Sequence, residues 1–198
     1  MIRSLICILG CLVLVAGFAC NRPLGPKIDP ARDQFYDMTR HIMTDEEIEI
    51  YRHLPDIESK NKFIREFWDK RDPDLSTEEN EAYDEFMQRV QFAIRWFDEH
   101  QGEMRGWDTL RGRILLQLGF PDTRKTGNSL FLTDQFERRY SDYEIWYYRE
   151  YGLKLLFVDK NGFGRFDFYG RYPSALTYAV SQSRHRMLGA DSGGSEHR

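Results

Sequence analysis

Hydrophobic positions along this chain follow three different rhythms. The first is a continuous apolar run of fifteen residues, Leu5 to Ala19, preceded by Arg3 and closed by Cys20. The second is helical. Thr44-Asp45-Glu46-Glu47 reads as a capping box that opens a helix reaching about Leu54, stopped by Pro55. The spacing then predicts a helix over about 56–70, where Phe63 and Phe67, and Ile64 and Trp68, pair at i,i+4, and Arg71-Asp72-Pro73 ends it. A third helix is predicted over about 78–100. Its stripe is Ala82, Phe86, Val90, Ala93, Ile94 and Phe97, widened by Tyr83, Met87 and Trp96, with Gly102 as a stop.

The third rhythm is that of strands. Ile114, Leu116 and Leu118 alternate with Leu115 and Gln117, which predicts a strand ending in the turn Gly119-Phe120-Pro121-Asp122. A polar loop over 123–142 follows. Strands are predicted at Tyr143–Tyr148, Leu153–Val158 and Phe166–Phe168, joined by turns at Glu150-Tyr151-Gly152 and Asp159-Lys160-Asn161-Gly162. Such short connections require antiparallel order. Leu155 to Val158 is apolar on both faces, as in a central strand covered on both sides. Helices followed by a meander predict an α+β domain, about three N-terminal helices packed on a small antiparallel sheet of three to four strands. The stretch from Ser181 to Arg198 is rich in Ser, Gly and charge and predicts a disordered tail.

The fifteen-residue run is shorter than the roughly twenty residues that a spanning helix needs. It fits the apolar region of an export signal, with Gly17 and Ala19 as small residues before the cut. The junction resembles the lipobox of bacterial lipoproteins, in which cleavage leaves an acylated cysteine first; here Gly17 stands where that pattern has Leu. The resemblance implies residues 1–19 as a signal peptide and Cys20 as a lipidation site that ties the chain to a membrane. The alternative is ordinary secretion with an unmodified Cys20. Residues 20–40 open with three prolines and a glycine between Asn21 and Pro30, which predicts a tether leading to a globular domain at 41–175. By resemblance to lipoprotein sorting, Asn21 after the cysteine implies the outer membrane, with the domain facing the periplasm or the cell surface.

Composition narrows the remaining chemistry. Of three cysteines, Cys7 and Cys11 leave with the leader, so the mature chain has no disulfide and no thiolate cluster. Aromatic residues make up 15%, enough for a substantial core without such staples. The net charge of -4 becomes one unit more negative when Arg3 is removed, and an acidic domain exerts no general pull on nucleic acid. No nucleotide-binding loop, nucleophile elbow or metal-type histidine spacing occurs, so no cofactor is expected.

Gly106-Trp107-Asp108-Thr109-Leu110-Arg111-Gly112-Arg113, with Phe67-Trp68-Asp69-Lys70-Arg71-Asp72-Pro73 upstream and Gly119-Phe120-Pro121-Asp122 downstream, resembles the GWxTD domain of bacterial secreted proteins and lipoproteins. The resemblance runs from about Thr44 to about Asp167, and Leu110 stands where that family has Asp. It implies an envelope location and no defined reaction. A looser likeness, over about Arg113 to Asp159, is to small outer-membrane assembly lipoproteins of the BamE type, at the level of fold.

The interaction motif is therefore taken as Gly106, Trp107, Thr109, Arg111 and Arg113, with Arg71 and Asp72 beside it. On a strand, Arg111 and Arg113 share a face and form a surface for an anionic group. The structural alternative has Trp107 plugging the helix–sheet seam and the arginines paired with Asp72, Asp74 or Asp108. Arg71-Asp72-Pro73-Asp74 is either a cation loop or a helix terminator with a local ion pair. Two functions remain. One is an envelope interaction or structural module, non-enzymatic, with a protein or cell-wall partner. The other is a periplasmic ligand-binding protein or hydrolase with its site at Trp107, Arg111 and Arg113.

Overall fold

Helix starts in this chain are fixed by side chains that satisfy the first backbone N–H groups. The computed structural model describes residues 33–99, 104–128 and 140–189. The leader, Cys20 and the proline-rich part of the tether lie outside the described residues, as does Gly102. Asp33 caps α1 (Gln34–Thr39) by accepting from the Tyr36 N–H at 3.1 Å. Thr44 and Glu47 close both bonds of the capping box of α2 (Asp45–Arg52), at 3.1 and 2.9 Å. Asp56 caps α3 (Ile57–Asp69), and Asn80 caps α4 (Glu81–Phe97) while donating to the Trp68 carbonyl at 2.9 Å. A 3-10 turn (Gly106–Asp108) leads into α5 (Leu110–Leu118).

The second half is a four-stranded antiparallel sheet in the order β1 (Thr123–Asn128), β2 (Asp142–Tyr148), β3 (Leu153–Asp159), β4 (Phe166–Phe168). The chain is thus an α+β fold, closed by α6 (Ser174–Met187). Register decides which face is inside. Trp146 lies opposite Arg124 and Leu155, and Phe157 lies opposite Glu144 and Phe168. All of these sit on one face, where Trp146, Leu155 and Phe157 are fully buried. The other face carries Lys125, Ile145, Tyr147 and Lys154.

Two runs of aromatic contacts, both carried by α4, connect the helices and the sheet. Phe35 packs on Tyr51 and Phe67, Phe67 on Trp68, and Trp68 on Phe86. Further along α4, Phe97 meets Trp146 at 5.6 Å. Edge-to-face and tilted contacts of this kind add about 0.5–1.5 kcal/mol each beyond area burial.

Five expectations need correction. The tether ends before residue 40, because α1 occupies Gln34–Thr39 and seats Phe35 in the core. Ile114 to Leu118 is helix, not strand: Ile114, Leu115, Leu116 and Leu118 are all buried, and enclosure on every side hides the helical period. The first part of the 123–142 loop is β1, an edge strand whose polar, exposed residues carry no alternation; residues 129–139 lie outside the described residues. The tail does not begin at Ser181, since α6 continues to Met187 and buries Ser183, whose hydroxyl donates to the Gln117 carbonyl at 2.6 Å. On α4, Ile94, Trp96 and Tyr83 face solvent, and Phe92 joins the buried stripe instead.

Candidate functional site

The Gly106–Arg113 segment is a hinge of closely packed backbone. A Cβ on Gly106 would stand 1.9 Å from the Ala93 carbonyl oxygen of α4. A Cβ on Gly112 would stand 1.9 Å from the Gly106 carbonyl oxygen and 2.7 Å from the Trp107 Cα. Both contacts are backbone, so neither relaxes by a rotamer change. The glycines let α4, the 3-10 turn and α5 stack at backbone distance. Thr109 locks the stack: its hydroxyl donates to the Gly106 carbonyl at 2.8 Å and accepts the Gly112 N–H at 3.1 Å as the N-cap of α5. Asp98, at the end of α4, accepts the Gly106 N–H at 2.5 Å.

Trp107 is buried, with the Arg105 guanidinium 5.1 Å from its ring centre. Leu110, at the position where the resembled family has Asp, packs against the core. Asp108 takes an ion pair from Arg40 at 2.7 Å. Arg111 and Arg113 do not share a face, because α5 is a helix: Arg111 points into the core and Arg113 is exposed. The partners expected for these two arginines also need correction, since Asp108 pairs with Arg40 instead. Arg111 pairs with Glu99 at 3.2 Å and with Glu144 of β2 at 3.0 Å, and neither Asp72 nor Asp74 reaches it.

Arg111 is the centre of a buried charged network. Its guanidinium lies 3.8 Å from the Phe166 ring centre and 4.7 Å from that of Phe97. Glu144 also accepts from Arg124, at 2.6 and 3.1 Å, and from the Trp146 indole at 2.9 Å. Glu99 accepts the Phe166 N–H at 3.3 Å. Two carboxylates and two guanidinium groups balance. Burial pushes Glu99 above the usual carboxylate range, and the Phe166 N–H and Arg111 offset only part of that. Burial also raises Glu144, but the Arg124 hydrogen bond and the charges of Arg111 and Arg124 outweigh it and hold that carboxyl low. Burial lowers the Arg111 guanidinium against the pull of both partners.

Arg71 does similar work at the other end of the helical layer. It forms a two-pronged pair with Glu47 at 2.7 and 3.0 Å, donates to the Phe67 carbonyl at 3.0 Å and stacks 3.6 Å from the Phe67 ring centre. Asp72 accepts the Asp74 N–H, and Asp74 accepts from Ser76, so the Arg71–Asp74 segment is a terminator with local turns. Among the described residues no group of three or more His, Cys, Asp or Glu is placed to hold a metal ion.

The structure therefore brings Gly106, Trp107, Thr109 and Arg111 together inside the packing and leaves Arg113, Arg71 and Asp72 apart from them. Neither the recess beside His41 and Met187 nor the groove between the start of α2 and α6 is lined by any of the seven. Glu99, Glu144 and Arg124 were missed as partners. Glu144 had a visible signal, since period two in β2 places it on the face of Trp146 and Tyr148, where a carboxylate needs a cation. No family model matches the chain, and no curated protein or solved structure matches it significantly.

Proposed function

We propose that this chain is an exported lipoprotein, anchored through acylated Cys20 in the cell envelope, whose GWxTD-like domain is a non-enzymatic interaction module. The observation that carries the second half of this reading is the internal use of the motif. Trp107, Thr109 and Arg111 are buried and engaged in packing, capping and a charge-balanced network rather than presented to a substrate. A hydrolase or ligand site at Trp107, Arg111 and Arg113 loses its support on the same ground.

The sheet offers a surface to a protein or cell-wall partner. β1 stands at its edge, and the face away from the helices sets Lys125 and Lys154 on either side of Tyr147, 5.9 and 5.5 Å from the ring centre. Strand edges and aromatic sheet faces are common docking elements. Photo-crosslinking in intact envelopes tests this. A photoreactive residue at Lys125 or Lys154 is expected to capture a discrete partner that one at Arg65 on α3 does not. Equal or absent capture at all three positions contradicts it.

A further inference from the structure

We infer that the groove between the start of α2 and α6 is a binding site for an oxyanion carried on a sugar-sized polar body, with Arg184 as its anion-binding residue. The groove has a volume of about 460 Å³, which suits a small ligand. Its floor is built: Gln117 donates to the His41 carbonyl at 3.1 Å, and its own carbonyl receives the Ser183 hydroxyl at 2.6 Å, which fixes α6 against α5. Arg184 lines this groove and also the small recess beside His41 and Met187.

Arg184 differs from the arginines of the core. Arg71, Arg89 and Arg111 each hold a carboxylate: Glu47, Glu85, and Glu99 with Glu144. The half-buried Arg184 shares with these three an Nε that is buried without a hydrogen bond, but it has no carboxylate partner among the described residues. A half-buried guanidinium with no carboxylate beside it can still take an anion through its remaining N–H groups. Around it the groove offers what a sugar ring requires. Thr44, Thr177 and Ser181 supply hydroxyls, and Tyr172, 60% exposed, supplies an aromatic face at the rim. Asp45 borders the opposite side and repels an anion there, which directs the charged end of a ligand toward Arg184.

Calorimetric titration of the purified full chain in detergent with glucuronate, glucose 6-phosphate and glucose tests the assignment. At least one of the two anions is expected to bind saturably with a Kd below about 1 mM, and glucose at least tenfold more weakly. Arg184→Gln is expected to weaken the anion at least tenfold with an unchanged melting temperature, and Asp45→Asn to tighten it severalfold. The first anion to bind tells a carboxylate from a phosphate ligand. Absence of saturable binding by both anions, equal binding of glucose, or an affinity that neither substitution moves overturns the proposal. Asp45→Asn keeps the test open if Arg184→Gln fails to fold.

Discussion

Single residues in this domain are constrained by contacts that cannot yield. Gly106 and Gly112 meet backbone atoms, so Gly106→Ala forces the 3-10 turn away from α4 and Gly112→Ala forces α5 away from the 3-10 turn. Overpacking of this kind costs about 1–3 kcal/mol and more where backbone must move, so about 3 kcal/mol or more is expected for each by urea denaturation. Arg111→Met leaves Glu99 and Glu144 buried without their shared cation, and a loss of about 3–5 kcal/mol is expected. Arg113→Met, on the exposed side of the same helix, is expected to change stability by less than about 0.5 kcal/mol. That pair of measurements separates a buried structural Arg111 from an arginine patch on the surface.

His41 makes stability depend on pH near neutrality. Burial, with the nearby charges of Arg40 and Arg113, depresses its pKa from 6.5 to about 4, against the opposing pull of Asp108. The unfolded chain takes up this proton first as pH falls. The contribution of His41 is therefore complete above about pH 6.5 and declines from there to about pH 4, by about 3 kcal/mol at 1.36 kcal/mol per unit. His41→Leu is expected to flatten the curve in that window, as followed by urea midpoints at several pH values.

Among the elements, those with caps or clear periods were legible and those enclosed or polar were not. The capping box of Thr44 and Glu47, the Pro55 stop, and the strands at Tyr143 and Leu153 all stand where the sequence places them. α5 was misread because a helix buried on all sides has no polar stripe, and Ile114-Leu115-Leu116 then mimics a strand. The signal that distinguishes them is Thr109, an N-cap three residues before Gly112, followed by Gly119 at φ 80° as the stop. β1 was misread because Thr123–Asn128 has no apolar face, and its order comes from pairing with β2. α6 was misread in part because its serines and cations resemble a tail, while its buried side consists of Leu176, Ala179 and Ser183. The glycines and Trp107 were visible as a motif, but Arg111's partners, 12 and 33 residues away, were not. A chain ended at Ser181 loses the Ser183 bond to Gln117 and is expected to melt several degrees lower than the intact chain.

At the scale of the whole molecule, the domain is an aromatic-rich α+β body whose charged interior is balanced and whose sheet presents an edge and a lysine-flanked tyrosine outward. Among the described residues no helix is long and apolar enough to cross a membrane, so the proposed anchor rests on Cys20. With that anchor, the proline-rich sequence between Cys20 and Gln34 would give the domain reach from a bilayer surface. A single acylated cysteine is expected both to begin the mature chain and to hold it to the membrane. Mass spectrometry of the N-terminal peptide from the native mature protein tests this most directly. The account predicts a peptide beginning at Cys20 that carries diacylglycerol mass. A peptide beginning at Cys20 with a free thiol, or one that retains the residues before it, would contradict the account.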